Sequence, residues 1–229
     1  MLDELMELDN RVFLLLNGSG SVYWDNVMWM VTQTATWVPM LLVLLYVVMK
    51  NSDARRLLLI VVAMVLTVVL ADRLSSGVVK PMVMRWRPTH DPMFLHTIDT
   101  VRGYTGGRFG FVSSHAANTF ALFAFLSLLL RSGLMSFSLL LWASVSSYSR
   151  IYLGVHFPGD VLCGALLGVL TGVAVYVAYW HISRKYVGER QYYSTAYTSS
   201  GFLCNDMHLL CSTLMLTYCA VFVLACQGG

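Results

Sequence analysis

Three short segments of this chain hold residues whose types and spacing suit phosphate chemistry. Lys80 and Arg87 stand seven apart, just before Pro88; Ser113, Ser114 and His115 follow Val112; Ser149 and Arg150 precede His156, with Asp160 four residues beyond it. Lys80, Arg87 and Arg150 lie at the polar ends of otherwise apolar stretches. Brought together they would repel one another unless an anion lay between them, and a phosphate has oxygens that match the guanidinium fork. Ser113, opening a predicted helix, would add donors where a helix terminus favours negative charge. Of two histidines, one can attack phosphorus while the other protonates the leaving alkoxide. Spacing alone leaves His115 and His156 interchangeable in these roles. Asp160 is placed to accept a hydrogen bond from one imidazole nitrogen, which leaves the other free. Taken singly, each residue has a plainer reading: a capped or interfacial histidine, a snorkelling Arg150, a first-turn Asp160 favoured by the helix dipole, an N-cap serine pair. The joint pattern is what points to chemistry.

The elements that must position these residues are lipid-soluble. Of 229 residues, 57% are hydrophobic and only 12% charged, and the mean hydropathy is +0.66; a soluble domain carries about 25% charged residues. The apolar residues fall in runs near the roughly 20 residues that cross a bilayer. A net charge of +3 gives no footprint for nucleic acid. The first ten residues, MLDELMELDN, are acidic and unlike a secretory signal, so the first spanning segment is expected to direct insertion.

Residues 3–17 read as a short amphipathic helix, too charged to span and suited to the interface, although it could dip into the membrane. Gly18 and Gly20 end it. Apolar runs follow at 23–49, with a kink expected at Pro39, and from 57 to about 80, with a stop expected at Pro81. Further runs cover 113–130, 134–152, 158–181 (Pro158 suits a first helical turn) and 207–226. The expected fold is all-α: a polytopic transmembrane bundle of five to six membrane helices with an N-terminal interfacial helix. It forms one domain over 1–229, with 1–20 the interfacial helix, 80–160 the motif region, and 182–229 a polar link and last transmembrane helix.

Residues 81–112 form the long polar stretch between spans and hold three of the five prolines. Long irregular loops are uncommon unless functional. Its Trp86, Phe94 and Tyr104 either shape a head-group entrance or anchor the loop. Five cysteines form no CxxC pair; Cys204, Cys211, Cys219 and Cys226 recur at steps of 7, 8 and 7 and read as a packing stripe of small residues. The last span could pack on the core or mediate self-association as a homo-oligomer.

Lys and Arg favour cytoplasmic links. Lys50, Arg55 and Arg56, then Arg131, then Arg184, Lys185 and Arg190 lie in links that alternate correctly for one cytoplasmic side. The 81–112 loop and the 149–158 link then share the extracytoplasmic face. That loop carries Arg85, Arg87, Arg102 and Arg108 against the rule, which asks for an anion.

The three segments closely resemble the type 2 phosphatidic acid phosphatase (PAP2) superfamily, whose signature is K-x6-RP, then PSGH, then SR-x5-H-x3-D. Lys80 to Pro88 fits the first part, and Ser149, Arg150, His156 and Asp160 fit the third. In the second, Ser113 and His115 are retained, while Val112 stands for the proline and Ser114 for the glycine. The resemblance implies a phosphohistidine on His156, with Asp160 orienting it and His115 acting as acid and then base. It implies phosphate binding by Lys80, Arg87, Ser113, Ser114 and Arg150, with no metal and no other cofactor. Small bacterial members act on undecaprenyl diphosphate, lipid A phosphates or phosphatidylglycerol phosphate, and an extracytoplasmic site suits the first two. The expectation is therefore an integral phosphatase of the bacterial inner membrane, hydrolysing a phosphomonoester or pyrophosphate on a lipid. Its partners would be that lipid phosphate and membrane lipids, not nucleic acid. Vanadium-dependent haloperoxidases share the signature but are soluble and much larger. A non-catalytic lipid-phosphate carrier or flippase would use the cations alone and gives no reason for two histidines and an aspartate.

Overall fold

The computed structural model describes residues 2–94, 97–187 and 194–227. Among them the regular structure is helical, with two isolated bridges, Trp86 to Phe109 and Tyr197 to Leu203. The helices are α1 (Leu2–Leu16), α2 (Val22–Thr32), α3 (Val38–Asn51), α4 (Ala54–Asp72), α5 (Lys80–Val83), α6 (Ser114–Leu130), α7 (Gly133–Tyr152), α8 (Pro158–Tyr186) and α9 (Cys204–Ala225). Among the described residues four continuous helical stretches are long and apolar enough to cross a membrane: Thr34–Asn51, Ala54–Val83, Pro158–Tyr186 and Cys204–Ala225. Ser114–Leu130 is a shorter apolar helix beside them. The chain is a membrane protein with an all-α polytopic bundle.

Two faces of α8 show how the bundle is built. Leu162, Leu166 and Leu170, each one helical turn apart, are exposed to the surroundings. On another face Gly164, Gly168 and Gly172 lie against α6, where an added Cβ would collide with the carbonyl oxygens of Ser113, Ala117 and Ala121. Lipid is as apolar as leucine, so helices associate through close packing of small residues. Ala71 of α4 joins Ala117 and Ala121 on the same seam. This backbone approach locks the start of α6 beside the start of α8.

The links sort to two ends. At one, Arg56 Nη2 donates to Ser200 O (2.7 Å) and Ser200 Oγ to Leu130 O (2.9 Å). The links after α3, α6 and α8 therefore share an end, as the basic residues predict; Arg190 lies outside the described residues. At the other end Ser113 N–H donates to Asp160 O (2.9 Å), joining the 81–113 stretch to the α7–α8 link. α1 lies at this second end, where Phe13 packs edge-on against Phe94 and Phe157 (centroids 5.7 and 5.2 Å). Its 15 residues extend about 22 Å, short of a bilayer core.

Four features differ from the sequence reading. The 23–49 run breaks at Gln33, whose backbone is extended (φ −77°, ψ 129°), into α2, a 3₁₀ turn and α3. Pro39 causes no kink, because it occupies the first turn of α3, where no amide donor is needed. The next helix does not stop before Pro81: a π-helical stretch, Arg73–Val79, carries it into α5, with Pro81 in a new first turn. The cysteine stripe is not a packing seam. Within the chain Cys211 is buried and Cys204 half-buried, while Cys219 and Cys226 are exposed although the spacing keeps all four on one side of the helix.

Candidate active site

All eight residues singled out from the sequence reach the end of the bundle where α6 and α8 begin. Ser113 is fully buried and caps α6, its Oγ accepting from Ala116 N–H at 3.4 Å. Lys80, on the α5 turn, donates from Nζ to Ser114 Oγ at 2.6 Å, and Ser114 also bonds Ser76 Oγ at 2.8 Å. The serine standing where the PAP2 pattern has glycine is thus the partner of Lys80.

Arg87 leaves the loop beside the Trp86–Phe109 bridge, its Nε donating to Phe109 O at 3.1 Å. Two glycines let the backbone approach. Gly106 has φ +66° and no room for a Cβ against Arg87 Nη1; at Gly110 a Cβ would lie 2.8 Å from Asp160 Oδ2. Arg150, on the last turn of α7, donates from Nη1 to Thr32 Oγ1 (2.9 Å) and from Nη2 to Tyr104 OH (3.2 Å). Both guanidinium groups are buried, with 8% of each residue exposed. Arg87 Nη1 and Arg150 Nε nonetheless have no hydrogen-bond partner among the described residues. Buried charged donors left in this way are costly unless a ligand answers them.

His156 is 2% exposed, and its Nδ1 lies 3.4 Å from Asp160 Oδ2. That oxygen also accepts from Phe157 N–H at 3.1 Å, holding the carboxylate over the first turn of α8. Burial, then the charges of Arg87, Arg150 and Lys80 and the neighbouring His115, hold the His156 imidazole well below its ordinary range. The lowered value favours the uncharged imidazole at neutral pH. Burial and the charge of Arg150 also lower Arg87. Tyr104 would be raised by burial, but its bond to Arg150 and the charges of Arg150 and Arg87 outweigh that and lower it. These mutual effects show one crowded cationic pocket with a neutral imidazole inside it. His115 enters from α6, its Nε2 sharing a hydrogen bond with Ser146 Oγ at 2.8 Å.

Residues 56–184 match the PAP2 superfamily. The chain belongs to that superfamily. A lipid A 4′-phosphatase of Bacteroides thetaiotaomicron is 39% identical to this PAP2 protein over 177 residues, which cover 77% of this chain and 79% of the relative. A second, from Porphyromonas gingivalis, is 33% identical over 187 residues, covering 82% and 79%. The crystal structure of Aquifex aeolicus LpxE aligns with a TM-score of 0.54 at 25% identity, over 73% of this chain and 94% of that one. These relatives identify a lipid phosphatase of the PAP2 superfamily.

Several site neighbours of this PAP2 protein were not foreseen. Tyr104, whose place in the sequence suits either a head-group entrance or a loop anchor, holds Arg150 through its hydroxyl. Thr32, Ser76, Ser146 and Phe109 have no motif to mark them. The basic loop divides its work: Arg102 bonds Asn26 Oδ1 (2.9 Å) and lies over Trp29, Arg108 lies over Trp86 and Phe109, and Arg85 turns to carboxylates. Among the loop cations, the charge of Arg87 is a leading cause of the lowered His156 imidazole. Among the described residues no group of three or more His, Cys, Asp or Glu could hold a metal ion.

Proposed function

We propose that the protein removes a phosphate from lipid A, at the 4′ position, through a phosphohistidine on His156. One observation carries the chemistry: a buried, uncharged histidine with a carboxylate behind it and three cations around it, two of them with unanswered donors. Asp160 accepts from Nδ1–H of His156, so Nε2 keeps its lone pair toward phosphorus. Nε2 forms the P–N bond as the P–O bond to the lipid breaks, and His115 gives a proton to the departing oxygen. His115 then takes a proton from water, whose oxygen attacks phosphorus; the P–N bond breaks and inorganic phosphate leaves. Lys80, Arg87 and Arg150, with donors at the start of α6, stabilise the charge on the equatorial oxygens. These cations do the neutralising that a metal would otherwise do, so the reaction is proposed to be metal-independent.

The choice of lipid follows the relatives, two of which are lipid A 4′-phosphatases. Nothing in the chain favours undecaprenyl diphosphate over it. The proposed location is the inner membrane with the site on the periplasmic side, since Lys50, Arg55, Arg56, Arg184 and Lys185 lie in the helix turns at the opposite end of the bundle and Arg131 in the link there. Phosphate release by the detergent-purified protein tests the whole reading. Lipid A carrying a 4′-phosphate should be turned over faster than 1-phosphorylated lipid A or undecaprenyl diphosphate, EDTA should not inhibit, and His156→Ala should be inactive. Faster turnover of undecaprenyl diphosphate would reverse the substrate assignment.

A further inference from the structure

Asp160 has a second oxygen, and the residues that answer it lie outside the PAP2 signature. Arg85 donates from Nη1 to Asp160 Oδ1 at 3.1 Å and from Nη2 to Asp9 Oδ2 at 2.8 Å. Asp9 belongs to α1, and its other oxygen, Oδ1, accepts from Gly159 N–H at 2.7 Å. Gly159 is the residue before Asp160, so the contacts close a ring: Asp160 to Arg85, to Asp9, and back to the first turn of α8. The guanidinium plane also lies 4.1 Å from the centroid of the Phe157 ring, the side chain next to His156. The side chains of Arg85 and Asp9 are 20% and 14% exposed, and that of Asp160 is fully buried. A forked cation between two carboxylates in such a setting has one orientation, which a lysine could not reproduce.

We infer that Arg85 and Asp9 are positioning residues for the reaction, acting through Asp160 to hold His156 in its attacking orientation. The inference rests on the phosphohistidine reading given above. Without Arg85, Asp160 Oδ1 faces the protein interior with no partner, and the carboxylate is free to rotate away from the 3.4 Å contact with His156 Nδ1. Without Asp9, Arg85 keeps only one of its two anchors, and the α8 turn loses the acceptor of Gly159 N–H. Asp9 lies outside the matched 56–184 segment, so α1 is more than a surface anchor: it closes the rear of the site.

The test compares Arg85→Gln, Asp9→Asn and Asp160→Asn, alone and combined, with Arg11→Gln as a control. Arg11 is on the same helix, exposed, and pairs only with Glu7 within the described residues. Residues that orient the ligands of a metal contribute about 10–100-fold to activity, and Arg85 stands in the same outer position to Asp160. Arg85→Gln should lower kcat within that range while KM moves less than about twofold, because phosphate contacts are untouched. Asp9→Asn should lower kcat by roughly 3–10-fold, below the lower end of that range. Arg85→Gln added to Asp160→Asn should cost no more than about twofold further, since both changes act on one group. If Arg85→Gln prevents folding, judged by gel filtration and melting temperature, Arg85→Lys serves in its place. Multiplying effects in the double variant, or a raised KM at unchanged kcat, would overturn the inference and leave the phosphohistidine intact. Full activity in His156→Ala would remove both.

Discussion

Asp160 and Asp206 occupy matching places in two helices, each three residues into its helix (α8 and α9), and each has a buried carboxylate. They sit at opposite ends of the bundle and their surroundings differ in kind. Asp206 is answered by Lys50 Nζ and Asn51 Nδ2, both at 2.7 Å, and Asn51 Oδ1 accepts in turn from Leu203 N–H at 3.1 Å. That cluster ties the start of α9 to the end of α3, and its donors and acceptors are matched. Around Asp160 the match is incomplete: Arg85 and Phe157 N–H answer the carboxylate, but beyond His156 the donors Arg87 Nη1 and Arg150 Nε have no partner among the described residues. A buried charge alone therefore says little about function. A buried histidine among cations with unanswered donors says more, because an incoming anion would complete it.

The contrast can be broken at either end. The largest effect should come from His156→Ala, which removes the proposed nucleophile: phosphate release falls by about a thousandfold or more, while the melting temperature in detergent stays near that of the parent. Arg87→Gln should cost roughly 100–1,000-fold in kcat by removing charge stabilisation. It should also change the pH profile. The lowered pKa of His156 keeps the imidazole neutral as pH falls through about 6.5, the ordinary value, so kcat/KM should hold there and fail only in more acid solution. With the Arg87 charge gone, protonation of His156 sets in at higher pH, and the acid limb should move upward. A limb that stays fixed would mean that His156 does not control it.

At the opposite end the pattern should invert. Asp206→Ala should destabilise the protein by about 1–3 kcal/mol, read as a lower melting temperature, with kcat unchanged where the protein is folded. The figure is modest for a buried pair because the Lys50 side chain is 41% exposed and water can replace its partner. A loss of kcat in folded Asp206→Ala would abolish the distinction between the two ends. The smallest effect belongs to Ser114→Gly, which frees Lys80 from its 2.6 Å partner. One hydrogen bond is worth about 1 kcal/mol, so KM for the lipid phosphate should fall, by less than about tenfold, with little change in kcat.

Much of the site was legible because three local spacings each survive folding intact: Lys80 to Arg87, Ser113 to His115, and Arg150 through His156 to Asp160. Their meeting at one end follows from counting helices between them. Other contacts were hidden because they join distant segments through side chains that have no motif. Asp9 and Arg85 are separated by 76 positions, and Thr32 and Arg150 by 118. Periodicity also misleads where both lipid and interior are apolar. It could not tell that Cys219 and Cys226 face outward, nor that Gly164, Gly168 and Gly172 mark the tightest seam with α6. The break at Gln33 and the π-helical stretch before Lys80 have no residue signal in the sequence that marks them.

The most direct test of the central claim is a single-turnover reaction with 4′-labelled lipid A phosphate, stopped within milliseconds. A label bound to protein, stable in alkali and lost in acid, mapping to His156 and missing from His156→Ala, is the predicted result. Turnover with no label on the protein at any time, or a label on His115 instead, would contradict it.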